Sequence, residues 1–183
     1  LGASKQTGTI ITFEADPEIF ETIEFKWERI VSKLRQQAYL VKGMRITVID
    51  ARDLDTKSVD DTGVFYLAEL GLEVPNMTFY FEGGLKSLVK YQNEHMKPIH
   101  KNIFHVEEEV PHPEDDNKNV TVEIALQYAD DISPRLNSFA NNTSTPEHGM
   151  HVTGFKTALT RTLNNFAKKN KLAKDNDGTF TGD

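Results

Sequence analysis

From position 152 onward the chain commits to one helix face. Val152, Phe155, Leu159, Thr162, Leu163 and Phe166 recur at three- and four-residue steps, the spacing that lines one side of an α-helix. At ~100° per residue, Lys156, Arg161, Lys168, Lys171 and Lys174 fall on the opposite side, with Lys169 at the flank. Between Lys156 and Lys174 there are six basic residues and no acidic one, in a chain of formal charge −7. A helix so opposed to its own protein has two readings. One is the solvated outer face of an amphipathic helix. The other is a surface turned toward a polyanion. The stretch before it, Asn141 to Gly149, is polar and rich in turn residues.

At 183 residues the chain has room for one good-sized domain, or for one domain and part of another. It contains no cysteine, which excludes disulfides, thiolate zinc sites and cysteine nucleophiles and fits a reducing cytoplasm. No apolar run approaches the length of a membrane span. The opening LGASKQTGT lacks a methionine and the pattern of a signal peptide, and reads as a chain entered mid-protein. The acidic balance argues against generic coating of nucleic acid, so any such contact is expected to be local.

Taken in order, Thr9 to Glu14 reads as a strand. Asp16-Pro17-Glu18 reads as a helix start, and Phe25, Ile30, Val31, Leu34 and Ala38 form a helical stripe up to Leu40, with Gly43 as C-cap. Met44 to Asp50 is a strand. Ala51 to Met77 is weakly patterned and long for a loop, which suggests a connection and a domain boundary. Thr78 to Glu82 is a strand. Gly83-Gly84 leads into a helix with Leu85, Leu88, Val89, Gln92 and Met96 on one face, ended by Pro98. Asn102 to Val110 is a strand and His112 to Asn119 a polar turn. Val120, Val122, Ile124, Leu126 and Tyr128 alternate as a half-buried strand. Pro134 to Ala140 is one more strand, antiparallel to it. The result is an α+β or mixed α/β arrangement, with helices packed on sheets.

Several motifs have plainer explanations. His95, His100 and His105 lie close in sequence, but they fall on a helix end, a Pro-containing loop and a strand, so they read as surface or capping histidines rather than metal ligands. Glu107-Glu108-Glu109 and Glu114-Asp115-Asp116 read as a solvated charged region, because adjacent strand residues point to opposite faces. Gly83-Gly84 before a helix suits a backbone anion cradle or, more simply, a tight strand-to-helix turn. Thr7-Gly8-Thr9 is a short signal at a strand entrance.

Three stretches together carry a resemblance. YFEGGLKSLVKYQN followed by KPIHKNIF looks like the start of the transducer domain in the ATPase subunits of bacterial type II topoisomerases, the B subunit of DNA gyrase and its topoisomerase IV counterpart. NNTSTPEHGMHVTGFKTALTRTLN resembles that family's loop and helix further along. TGTIITFEADPEIF resembles the last strand of its ATP-binding domain. The three occur in the family's order and cover most of the chain.

The resemblance implies a division into residues 1–55, the end of a histidine-kinase/gyrase-type ATP-binding domain; 56–77, a connection or insertion; and 78–183, a transducer truncated before its nucleotide-contacting Lys loop. The transducer would have a βαβ-containing sheet packed by helices, like a ribosomal-protein domain. Thr9 takes the place of a Thr in the hydrogen-bond network around adenine, which also meets aminocoumarin-type inhibitors, with Gly8 and Ile11 beside it. Lys156, Arg161 and Lys168 take the place of basic side chains that face the DNA cavity. The full-length protein would use ATP and Mg, while this fragment would bind neither, carry no catalytic residue and be inactive alone. Implied partners are double-stranded DNA, an A-type subunit of gyrase or topoisomerase IV and a second B-type subunit, in the cytoplasm at the nucleoid and away from membranes. Glu14 and Ala15 depart from the family's pattern. So does His148, which stands where the family has a Gly and so calls a positive φ there into question. Two rival readings are a related chaperone or mismatch-repair ATPase with the same layout, and a non-enzymatic module that uses the basic helix to bind nucleic acid.

Overall fold

Trp27, Ile30, Val31, Leu34 and Ala38 lie three or four residues apart and fold as helix α1, Trp27–Leu40, with Val31, Ala38 and Tyr39 buried. The computed structural model describes residues 7–8, 16–50, 74–112, 114–172 and 179–181, with the backbone alone at 116. The strand expected at Thr9 to Glu14 and most of the 51–77 connection lie outside the described residues. The chain divides into two units, 1–130 and 131–183.

The helix does not begin at Asp16. There the Glu18 N–H donates to Asp16 Oδ1 at 2.8 Å, and the Ile19 and Phe20 N–H groups donate to the Asp16 carbonyl. One turn forms and is not propagated; a helical nucleus is costly, and the chain extends one into a helix only from Trp27 onward. Phe25 therefore precedes α1 and is exposed, and Trp27 takes its place on the stripe. Gly43 does adopt a left-handed φ of 74°, but it lies two residues past the cap, which is Val41.

β1 (Arg45–Ile49) and β2 (Asn76–Tyr80) pair antiparallel, with Ile46 opposite Phe79 and Val48 opposite Met77. Strand alternation sends these four to one face. There they pack with Val31, Ala38, Leu34 and Trp27 of α1, and Phe81 joins them. The other face is polar: the Thr47 and Thr78 hydroxyls lie 3.0 Å apart, and the Arg45 guanidinium stacks 4.8 Å above the Tyr80 ring.

α2 (Leu85–Gln92) follows Gly84 and ends well before Pro98, contrary to the sequence reading. Its last turn closes at Asn93, whose N–H bonds to the Val89 carbonyl and whose amide donates to Gln127 Oε1 at 3.0 Å. Met96 is therefore off the helix. Pro98 instead bridges Ala129, flanked by Ile99 N–H to Tyr128 O and Asp130 N–H to Lys97 O.

β3 (Phe104–His112) and β4 (Asp115–Leu126) form a long antiparallel hairpin with an irregularity at Pro111/His112. Most of the expected eight-residue turn is strand, because the polar residues there still pair as backbone. Its apolar alternation does not bring even burial: Val120 and Val122 are exposed, and so is Val110, the partner of Val120.

In the second unit, Pro134 to Ala140 does not pair with β4. Only β5 (Phe139–Ala140) is strand, and it pairs with β6 (Thr143–Ser144). Asn141 and Asn142 take φ of 47° and 64°, the paired left-handed conformations of a two-residue hairpin turn, so the strand pairs with its own continuation. α3 runs Met150–Lys169 with Val152 and Ala167 buried. The observed architecture is α+β: among the described residues, three antiparallel pairs with three helices.

Candidate functional site

α3 carries the residues singled out for nucleic acid. Lys156, Arg161 and Lys168 are all exposed, and no described residue forms an ion pair with any of them. Arg161 and Lys168 are seven residues apart, so they lie within ~20° of each other around the axis, while Lys156 is turned from Arg161 by ~140°. Lys156 is seven residues from Leu163 and so lies within ~20° of it, beside the apolar stripe and not opposite it as the sequence suggested; the trio spans a broad arc rather than one row. Lys168 and Lys169 occupy the last turn and no acid occupies the first, an arrangement that suits the helix dipole at the C-terminal end. Lys171 departs from the expected pattern, lying past the helix end with φ 54°. Lys174 is outside the described residues. On the apolar face Phe155, Leu159 and Leu163 are half-buried, but Phe166 is 58 % exposed. Asn164 grips a later segment: its amide donates to the Phe180 carbonyl at 3.0 Å and its Oδ1 accepts the Phe180 N–H at 2.9 Å.

The loop ahead of α3 holds a network that sequence reasoning missed. Ser138 is buried. Its hydroxyl lies 2.8 Å from the Thr145 carbonyl, 2.7 Å from the Thr145 hydroxyl and 3.3 Å from His148 Nδ1. Thr145 Oγ1 is also 3.2 Å from His151 Nε2. The carbonyl can only accept, so Ser138 donates its one proton there and accepts from Thr145 and His148. Thr145 has then spent its own proton and accepts from His151. Both histidines are donors at these nitrogens. His148 does take a positive φ, 63°, although it stands where a glycine was expected; histidine is among the residues that tolerate this region best.

Of the nucleotide-side residues, Thr9 and Ile11 lie outside the described residues. Gly8 is exposed, and a Cβ built there would meet nothing within 4 Å. An open cavity of about 670 Å³ lies elsewhere, between Tyr39, Phe81, Tyr91, Met96 and Ile103.

The acidic stretch behaves differently from its sequence reading. Glu107 and Glu123 stand directly opposite each other across the β3–β4 register, so two carboxylates are held together after all. Lys42, from the turn after α1, places its Nζ 2.5 Å from Glu107 Oε2 and 3.1 Å from Glu123 Oε1. His105 Nε2 lies 2.8 Å from Glu123 Oε1. The hydrogen bond to Lys42 holds the Glu107 carboxyl below the usual carboxylate range, and the hydrogen bond to Glu107 raises the Lys42 ammonium above the usual lysine value. The His105, Glu107 and Glu123 ligand atoms lie within 4.8 Å of one another, the spacing of a metal site, but the ammonium already supplies the cation. The signal that could have found the pair is strand register. Lys42 left none, being 65 residues from Glu107.

The other histidines have separate duties. His100 accepts the Tyr128 N–H at Nε2 and lies 2.7 Å from the Asn102 carbonyl at Nδ1, so it stitches its loop to the end of β4. His95 is exposed. Gly84 takes φ 54°, and the space beside it is filled by the methylenes of Lys42.

A profile of the DNA gyrase B family matches residues 84–183, more than half of the chain. The chain belongs to the DNA gyrase B family. The DNA gyrase B protein of Clostridium acetobutylicum is 38% identical over the whole chain, which covers 25% of that relative. The gyrase B protein of Mycolicibacterium smegmatis is 37% identical, again over the whole chain and 28% of the relative. The chain thus spans about a quarter of the length of these curated relatives. Among solved structures, the 43K ATPase domain of Thermus thermophilus gyrase B, crystallised with an aminocoumarin, superposes with a TM-score of 0.65 at 28% identity. The match covers 91% of this chain and 38% of that one. Gyrase B from Myxococcus xanthus shares the fold, with a TM-score of 0.58 at 24% identity over 85% of this chain and 40% of that one. The described residues contain no helix long and apolar enough to cross a membrane.

Proposed function

We propose that this chain works within the ATPase subunit of an ATP-dependent type II DNA topoisomerase, passing nucleotide state toward the DNA gate and lining the DNA cavity. The observation that carries this reading is membership of the DNA gyrase B family, with the likeness to a gyrase B ATPase domain running through nine-tenths of the chain. The exposed cations of α3 support its second half. On this reading residues 1–55 close the ATP-binding domain, 56–77 connect, and 78–183 belong to the transducer. Gly8, Thr9 and Ile11 stand on the adenine side, where an aminocoumarin would also reach. Lys156, Arg161 and Lys168 face duplex phosphates. The whole protein takes ATP, which supplies a phosphoryl group whose charge Mg²⁺ neutralises; the isolated chain hydrolyses nothing. Its partners are double-stranded DNA, an A-type subunit and a second B-type subunit, in the cytoplasm at the nucleoid.

The test is charge reversal of Lys156 and Arg161 in the full-length protein. DNA-stimulated ATP turnover should fall several-fold, and the slope of log affinity against log salt should become shallower by roughly 2, about one unit for each phosphate that is no longer neutralised. Turnover and slope both matching the unaltered protein would remove the cavity-lining role.

A further inference from the structure

We propose that Lys42 is a positioning residue, clamping the β3–β4 hairpin to the turn between α1 and β1 so that movement on the nucleotide side is handed to the transducer strands. What is handed on rests on the topoisomerase reading; the clamp itself does not.

Glu107 and Glu123 face each other in direct register, and like charges directly opposite across a strand pair repel. The Lys42 ammonium reaches both carboxylates and is the counter-ion that lets them share one face. His105 meets Glu123 as well. The stem of Lys42 is equally constrained. A Cβ at Gly84 would stand 2.6 Å from Lys42 Cε and 2.8 Å from Cγ, so the side chain passes over the start of α2 only because position 84 has no side chain. Beside it, the Gly43 N–H donates to the Phe81 carbonyl. One lysine thus ties together the turn after α1, the entry to α2 and the middle of both hairpin strands. The Lys42 and Glu107 side chains are more than a third exposed, and ion pairs so wetted add little to overall stability. What the clamp governs is where the hairpin sits.

The experiment uses the full-length protein with Lys42→Met, which keeps the stem and removes the charge, and Lys42→Arg, which keeps the charge. Hydrogen exchange of β3 and β4 amides should quicken by about fivefold or more in Lys42→Met. Strand passage per ATP hydrolysed should fall at least about threefold with the KM for ATP unchanged, and Lys42→Arg should stay within about twofold of the native protein on both counts. If Lys42→Met does not fold, the Glu107→Gln/Glu123→Gln pair tests the same clamp, because it removes the charges and leaves the shapes; it should loosen the hairpin and lower the coupling in the same way. Unchanged exchange in whichever variant folds overturns the clamp. Faster exchange with unchanged passage per ATP overturns the positioning role. A native full-length protein that hydrolyses no ATP refutes the topoisomerase reading instead, and the exchange result still decides the clamp.

Discussion

The ionisation of Lys42 and Glu107 sets a pH window for their contact. Hydrogen bonding to Lys42 lowers the Glu107 carboxyl, so its contribution is present above the unfolded value and is lost as pH falls through the depressed one. Hydrogen bonding to Glu107 raises Lys42, so that share is present below the unfolded lysine value and is lost as pH rises through the raised one. The bridge should therefore be whole across neutral pH, failing only in acid below the usual carboxylate range and in base above the usual lysine value. A carboxyl-carbon NMR titration should show Glu107 moving back toward the ordinary value in Lys42→Met; no movement would mean that the bridge does not form in solution. At the same scale, the limits of the sequence are clear at His148. Its positive φ was in doubt because histidine has a Cβ to place, and the backbone adopts it anyway with Ser138 as its partner. Thr9 illustrates the other case: its assignment rests on the family resemblance alone.

Among the elements, the joint between α1 and the β1–β2 pair is the best packed. Phe79 is buried with Val31 and Ala38 around it, so Phe79→Ala should destabilise the protein by about 3–5 kcal/mol, read as a lower denaturant midpoint; a drop under about 1 kcal/mol would place the core elsewhere. This element and α3 were legible because a helix needs only local periodicity to declare itself. The early end of α2 was not, since it depends on Asn93 reaching Gln127, 34 residues away. Nor was the pairing of β5. The residues 134–140 read as a strand toward β4, and two asparagines in left-handed conformations turned it back on itself. Alternation also overstated burial on β4, because period-two patterning reports which side a residue takes, not whether anything covers that side. The Glu107–Glu123 pair combines both limits: it follows from a register that is readable only once the hairpin is known.

Across the whole molecule, charge is divided unevenly. Residues 131–183 hold seven Lys and Arg against five Asp and Glu, a balance of +2, which leaves 14 against 23, or −9, in residues 1–130. By net charge the smaller unit is the better suited to a polyanion, and within it the cations concentrate on α3. Net charge therefore describes neither half. The fold class was legible at this scale because helical and strand periods alternate along the chain. The split at residue 130 was not, because no glycine- or proline-rich linker marks it. The basic face of α3 has a practical corollary. With a sequence pI near 5.4, the protein carries net negative charge in neutral buffer and should bind an anion exchanger. It should also be retarded on immobilised heparin, a sulfated sugar polymer, because a local cationic surface responds to the polymer beside it rather than to the charge of the molecule as a whole.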